Sequence, residues 1–289
     1  MPRTEGYLES VDTLDSRQFV IAIKRLADSL SYGTDRSPFR GAGTEYVQSR
    51  PYVAGDPIKS IDWRVTARAG KLFVKEYEAP KRLPAYFLID TSASMTITSH
   101  TKSKYGLAIH IAGGLAFACL ERVSPVGVIG VGDRSIRIEP SLSKQQIMQW
   151  LLRLRRFRYD EGTTLGRRIA ELGTSLKSRA LVIVLSDLHD PAAIPSLKQL
   201  AQGHDVAVVQ LRDPAEVHLK GSGFIRAREA ETGEGFVTHG RRRWLDPEKV
   251  ADEMKRAGID HLLLDTDQPV AARVRHFFES RGVLGKGTR

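Results

Sequence analysis

The sequence predicts an α/β fold in which a doubly wound, mostly parallel sheet follows a small helix-plus-β module. Three observations lead there. Five short, nearly continuous apolar runs, residues 85–90, 126–131, 180–185, 205–211 and 261–265, have the character of strands buried on both faces of a parallel sheet. Helical patterns separate them, at 105–121, 144–157, 165–176, 192–201, 247–257 and 269–280. The stretch before them is punctuated by Gly and Pro and carries no long helical period.

In chain order, residues 16–30 place Phe19, Ile23, Leu26 and Leu30 on one face behind Asp15 or Ser16, as in an amphipathic helix. Residues 45–52 and 71–78 alternate as strands of a small sheet, and Pro80 and Pro84 mark a boundary. The expected division is therefore 1–82 for the small module and 83–289 for the α/β domain. Alternation of strand and helix beyond Ala85 implies βαβ units, whose ligand site lies past the carboxyl ends of the strands. Residues 223–240 interrupt that alternation and read as an inserted hairpin turning at Thr232 and Gly233.

The 289 residues are 41% apolar and 27% charged, which excludes whole-chain disorder. A single cysteine, Cys119, excludes an intrachain disulfide and fits a reducing, cytoplasmic setting. No secretory signal opens the sequence and no run reaches the ~20 apolar residues of a membrane helix, so membrane insertion is not expected. Net charge is +10, unevenly spread. From Lys144 to Arg179, nine basic residues stand against three acids, and Arg241, Arg242 and Arg243 form a second knot. The first cluster straddles a loop carrying Gly162, Thr163 and Thr164, so its rim would favour an acidic partner. Nucleic acid is disfavoured as that partner, because only Phe157 and Tyr159 are interleaved and no nucleic-acid-binding signature accompanies them.

Chemistry concentrates at one predicted sheet edge. The first α/β strand runs into Asp90-Thr91-Ser92-Ala93-Ser94, Thr163 and Thr164 precede a helix, and Ser186-Asp187 ends another strand. These carboxylates and hydroxyls, without His or Cys among them, form an all-oxygen set suited to a hard cation such as Mg²⁺ or Mn²⁺. The same serines and threonines could instead merely cap the following helices.

The pattern Asp-x-Ser-x-Ser resembles the metal-ion-dependent adhesion site of von Willebrand factor A domains. That resemblance implies a von Willebrand A-like sheet, with Asp90, Ser92 and Ser94 on the first loop, Thr163 on the second, where Thr164 remains an alternative, and Asp187 on the third. It also implies an open coordination position for an acidic side chain of a protein partner. A second block comprises Arg40-Gly41, Gly43, Glu45-Tyr46, Arg50, Tyr52, Gly55-Asp56, Ile61-Asp62-Trp63-Arg64, Ala67-Arg68, Leu72 and Val74-Lys75. This block resembles the signature of the bacterial domain-of-unknown-function family 58, whose members pair it with a von Willebrand A-like domain. The resemblance implies a non-enzymatic adaptor acting with a MoxR-type AAA+ ATPase in chaperone-like remodelling or maturation. Many relatives carry amino-terminal membrane helices, which this sequence lacks.

Charges in the second block read first as ion pairs that fix an irregular fold, while Arg40, Arg50, Asp56, Asp62, Trp63, Arg64, Arg68 and, further along, Arg158 are candidate partner contacts. Gly41, Gly43 and Gly55 read as turn residues. Two competing functions remain: a basic nucleic-acid-binding module with a vestigial metal site, and a metal-dependent phosphohydrolase. The second lacks its leaving-group acid, since Ser92 stands where an acid two residues after Asp90 would be needed. Asp190 is expected to cap a helix before Pro191, with His189 exposed.

Overall fold

The computed structural model describes residues 5–8, 40–78, 83–121, 123–216, 224–228, 235–239 and 246–283. The helix expected over 16–30 and the knot at Arg241–Arg243 lie outside the described residues. Two compact units form, one from Met1–Ala27 with Leu83–Arg289 and the other from Asp28–Arg82.

The larger unit is built on a six-stranded sheet. Strands β4 (Ala85–Ile89), β5 (Val126–Gly130), β8 (Leu181–Ser186), β9 (Asp205–Arg212) and β12 (Asp260–Asp265) run parallel, and β6 (Ile136–Ser141) closes one edge antiparallel to β5. The spatial order is β12-β9-β8-β4-β5-β6. Each parallel run matches a predicted one. The antiparallel edge was hidden in Ile136–Ser141, whose polar alternation suits an edge that is apolar on one face only.

Alternation along β4 divides the core. Tyr86 and Leu88 join Val182, Val184, Val206 and Val208 in one cluster, covered by α4 (Leu165–Ser175), α5 (Ala193–Leu200) and α6 (Pro247–Arg256) through residues such as Ile169, Leu197 and Met254. Phe87 and Ile89 face the other way and are fully buried. That face meets α2 (Lys104–Glu121), which touches β4, β5, β8 and β9 and is buried nearly all round. A helix on each face makes this a doubly wound α/β sheet.

Around this frame lie α3 (Lys144–Leu154), α7 (Ala271–Val283) and the antiparallel pair β10 (Phe224–Arg228) and β11 (Gly235–His239), the expected inserted hairpin. The third predicted helix was expected to continue to Phe157. It ends at Leu154 because Arg156–Arg158 instead forms a short strand, β7, paired with β1 (Glu5–Tyr7). Phe157 there packs against Tyr105 and Tyr159 at centroid distances of 5.6 and 5.3 Å. Residues 5–7 thus belong to the fabric of the α/β unit.

The smaller unit pairs β2 (Arg40–Pro51) with β3 (Phe73–Glu78), and α1 (Trp63–Ala69) lies between them in sequence. Its charges are largely committed to folding. Arg50 makes a two-pronged contact with Asp56, both at 2.7 Å, and Asp56 also accepts from the Val53 amide. The Arg50 hydrogen bond holds the Asp56 carboxyl down at about 2. Asp62 caps α1 by accepting from the Arg64 and Val65 amides at 3.1 and 3.2 Å, and its other oxygen accepts from Ser49. Gly55 (φ 108°) and the α1 cap Gly70 (φ 65°) adopt left-handed backbone that favours glycine, whereas Gly41 and Gly43 lie within the irregular start of β2. Trp63, Arg64 and Arg68 remain exposed.

Close approach of α4 to the start of α5 depends on Gly166. A Cβ there would lie 2.6 Å from the Ala192 Cβ and 2.7 Å from its carbonyl carbon, and the Gly166 amide donates to Asp190 Oδ2 at 2.7 Å. Gly166→Val should therefore cost about 1–3 kcal/mol in urea unfolding. Gly203→Ala, with nothing within 4 Å of the new carbon, should be close to neutral.

Candidate metal centre

Strand order places the site. The chain leaves β4 for β5 on one side and later returns to β8 on the other, so the β4 end is a topological switch point where loops splay apart. Ile89 is in register with Leu185 and Gly130, which sets Asp90 beside Ser186 and Val131. The Asp90 amide donates to Leu185 O at 2.9 Å, and the Val131 amide to Ile89 O at 3.0 Å.

Three of the predicted residues, Asp90, Ser92 and Ser94, form one buried hydrogen-bonded network, and Asp187 is buried beside it. Ser92 donates both its amide (3.0 Å) and its hydroxyl (2.6 Å) to Asp90 Oδ1, while Ser186 donates its hydroxyl to Asp90 Oδ2 at 2.6 Å. The Ser92 proton being taken by Asp90, the Ser94 hydroxyl donates to the Ser92 hydroxyl at 3.1 Å, and the Asp187 carboxylate lies close enough for its charge to act on Asp90. Asp90, Ser92, Ser94 and Asp187 are all buried. The helix-capping alternative fails for these serines. Ser92 precedes the short turn of helix Ala93–Thr96, yet its side chain makes no capping hydrogen bond.

The second loop is tied to the first through Glu161, whose carbonyl accepts the Ala93 amide at 2.7 Å and whose Oε1 accepts the Thr91 hydroxyl at 2.8 Å. Arg134 braces Glu161 from outside at 2.7 Å. Thr163 bridges Gly132 through its backbone, with its hydroxyl oxygen out of solvent. Thr164 commits its hydroxyl to the Val131 and Gly132 carbonyls at 3.0 and 3.1 Å, which favours Thr163 as the ligand on this loop.

Sequence reasoning missed the counter-charge. Lys104, the first residue of α2, has no exposed surface and donates to Asp187 Oδ2 at 2.8 Å and to Glu216 Oε1. One signal was available: an ammonium at a helix amino terminus opposes the helix dipole, so nearby carboxylates were to be expected. Glu216 follows β9 in a segment pinned by Asp213, which accepts from the Ser99 amide at 2.8 Å and from its hydroxyl. Nothing in the sequence singled out Glu216 or Glu161. His189 is exposed as expected, with Nδ1 3.4 Å from Asp187 Oδ2. Asp190 accepts from the Ala192 amide as expected and, in addition, from Gly166.

Electrostatics separates the two aspartates. Burial, followed by the charge of Asp187, pushes the Asp90 carboxyl up to about 7, against the pull of Ser186 and Ser92. Burial also opposes ionisation of Asp187, but the Lys104 charge overrides it and keeps this carboxyl below its ordinary value. Asp187, His189 and Glu216 have ligand atoms within 4.8 Å of one another, though the Lys104 ammonium already contacts both carboxylates. The donor set of Asp90, Ser92, Ser94 and Thr163 fits a hard divalent cation, being all oxygen and holding a buried carboxylate that contacts no basic side chain among the described residues.

Residues 48–246 match the family described as protein of unknown function DUF58. The chain belongs to that family. The matched span of this DUF58 member holds every candidate ligand together with Arg50, Asp56, Asp62, Trp63, Arg64, Arg68 and Arg158, while Arg40 precedes it. Uncharacterized proteins Mb1516 of Mycobacterium bovis and Rv1480 of Mycobacterium tuberculosis are 25% identical over 250 residues, covering 85% of this chain and 77% of each relative. A solved structure, an uncharacterized membrane spanning protein from Vibrio fischeri, matches 68% of this chain and 96% of its own at 14% identity, with a TM-score of 0.20. Among the described residues of this DUF58 chain, no helix is long and apolar enough to cross a membrane.

The weakened acidity of Asp90 gives a signed pH dependence. The folded state holds this proton more tightly than the unfolded chain, so ionising Asp90 costs stability as pH climbs from about 4 to about 7. In chelator, wild type should lose melting temperature relative to Asp90→Asn across that interval, measured by differential scanning fluorimetry. An unchanging difference would contradict the assignment.

Proposed function

We propose that this protein is a non-enzymatic interaction module whose binding face is a divalent-cation site of the von Willebrand A adhesion type. The observation that carries this reading is the buried hydrogen-bonded cluster of Ser186, Asp90, Ser92 and Ser94 at the switch point of the sheet, with the buried Asp187 carboxylate near enough for its charge to act on Asp90. Asp90, Ser92 and Ser94 would hold Mg²⁺ or Mn²⁺ with Thr163, and Asp187 would stand beside it. Bound there, the cation would supply a coordination position for a carboxylate brought by another protein. Ser186 orients Asp90, and Glu161 fixes the distance between the first and second loops.

Turnover has less support. The buried hydroxyls of Ser92 and Ser94 are bonded to Asp90 and to each other rather than to an imidazole or amine base, so neither is an activated nucleophile. Net charge of +6 over Lys144–Arg179, which includes the second loop, favours an acidic partner. That net value already counts Asp160, which pairs with Arg158 at 2.9 Å, and Glu171, which pairs with Arg168 at 3.0 Å. The DUF58 resemblance makes a MoxR-type AAA+ ATPase the partner of choice, with remodelling or maturation of a client as the process and the cytoplasm as its setting.

Calorimetric titration of Mg²⁺ and Mn²⁺ should give binding by wild type and none by Asp90→Ala. Ser186→Ala, which removes the support for Asp90 Oδ2 and the acceptor of the Leu188 amide, should weaken binding about 10–100-fold. Capture of the ATPase by immobilised wild-type protein should be lost in chelator. Equal capture with and without chelator would overturn cation dependence.

A further inference from the structure

We infer that Lys104 is a tethered cation that competes with the divalent ion for Asp187 and so sets the affinity of the site; this rests on the cation-site reading above. The argument begins with charge. Asp187 and Glu216 share one ammonium, that of Lys104, which is fully buried at the amino end of α2, and the charge of Asp187 acts in turn on Asp90. Its bond to Asp187 Oδ2 at 2.8 Å uses the same carboxylate whose charge acts on Asp90. His189 faces Asp187 from the other side at 3.4 Å, Asp213 lies near enough to Lys104 to feel its charge, and no further charged group among the described residues contacts the ammonium.

Both cations therefore seek one carboxylate. With a divalent ion beside Asp90, the Asp187 oxygen turned to Lys104 would be shared or released, and Glu216 is the only other carboxylate in contact with that ammonium among the described residues. Glu216 is thus the residue that lets Lys104 give up Asp187 without becoming an unpaired buried charge. Because Glu216 and Asp213 belong to one segment, held by Lys104 at one end and Ser99 at the other, that segment is where occupancy of the site would be felt.

Opposite signs distinguish competition from simple support. Removing the ammonium in Lys104→Met leaves Asp187 to the ion, and Mn²⁺ should bind at least about tenfold more tightly. Removing the alternative partner in Glu216→Gln leaves Lys104 wholly dependent on Asp187, and Mn²⁺ should bind at least about tenfold more weakly. A purely structural role predicts weaker binding in both. Lys104→Met strands the buried Asp187 carboxylate and the half-buried Glu216, so its fold is checked by circular dichroism with and without Mn²⁺, while Glu216→Gln retains the Lys104–Asp187 pair and tests the idea independently. The measurement is Mn²⁺ titration followed by electron paramagnetic resonance, with Asp90→Asn as the reference for loss of the site. Binding that is unchanged or weaker in folded Lys104→Met, or unchanged or tighter in Glu216→Gln, would overturn competition while leaving the cation site standing. Failure of Mn²⁺ to bind wild type and both variants would instead remove the cation site and this inference with it.

Discussion

Two carboxylates held out of water at one sheet edge are the constraint on which the rest of the site depends. Asp90 and Asp187 cannot both ionise cheaply in such a place, because each charge is desolvated and each repels the other. Lys104 settles the matter for Asp187, leaving Asp90 with hydroxyl and amide donors but no cation. Such an imbalance is a poor way to stabilise a fold, since well-packed apolar residues would do as well or better. It is a good way to hold a divalent ion.

The scaffold makes that imbalance tolerable. Asp90 and Ser186 end adjacent parallel strands whose preceding residues, from Phe87 to Ile89 and from Ile183 to Leu185, are fully buried. Their positions are fixed by ladder hydrogen bonds and by packing on both faces, so the site does not rely on loop stiffness. Where loops do contribute, they are cross-braced by side chains: Glu161 ties the second to the first, and Asp190 ties the third to the start of α4. The segment after β9 is the least embedded part of this arrangement. It is fastened by Asp213 and Glu216, and one of those fastenings runs through Lys104.

Most of the fold was legible because its signals were local. Apolar runs such as 180–185 and helical periodicity such as 165–176 are properties of short windows, and each became an element close to its expected bounds. Asp90, Ser92, Ser94 and Asp187 were legible for a related reason, since they sit where a strand pattern stops and polar residues begin. What escaped was non-local. Phe157 reads as helical until Glu5–Tyr7 supplies a strand partner nearly 150 residues away. Lys104, Glu161 and Glu216 are ordinary charged residues in sequence and become special only when folding brings Lys104 to Asp187, Glu161 to Thr91 and Glu216 to Lys104. In the smaller unit, the charges of Arg50, Asp56 and Asp62 proved to be folding contacts, whereas Trp63, Arg64 and Arg68 stay exposed.

The central claim is spatial, namely that a divalent ion belongs among the Asp90, Ser92, Ser94 and Thr163 oxygens rather than between Asp187, His189 and Glu216. Anomalous diffraction from crystals grown with Mn²⁺ tests it most directly. The account predicts one strong anomalous peak bounded by the Ser92 and Ser94 hydroxyls, with Lys104 still paired to Glu216. A peak at the Asp187–His189–Glu216 position with Lys104 expelled, or no peak at the β4 end at saturating Mn²⁺, would contradict it.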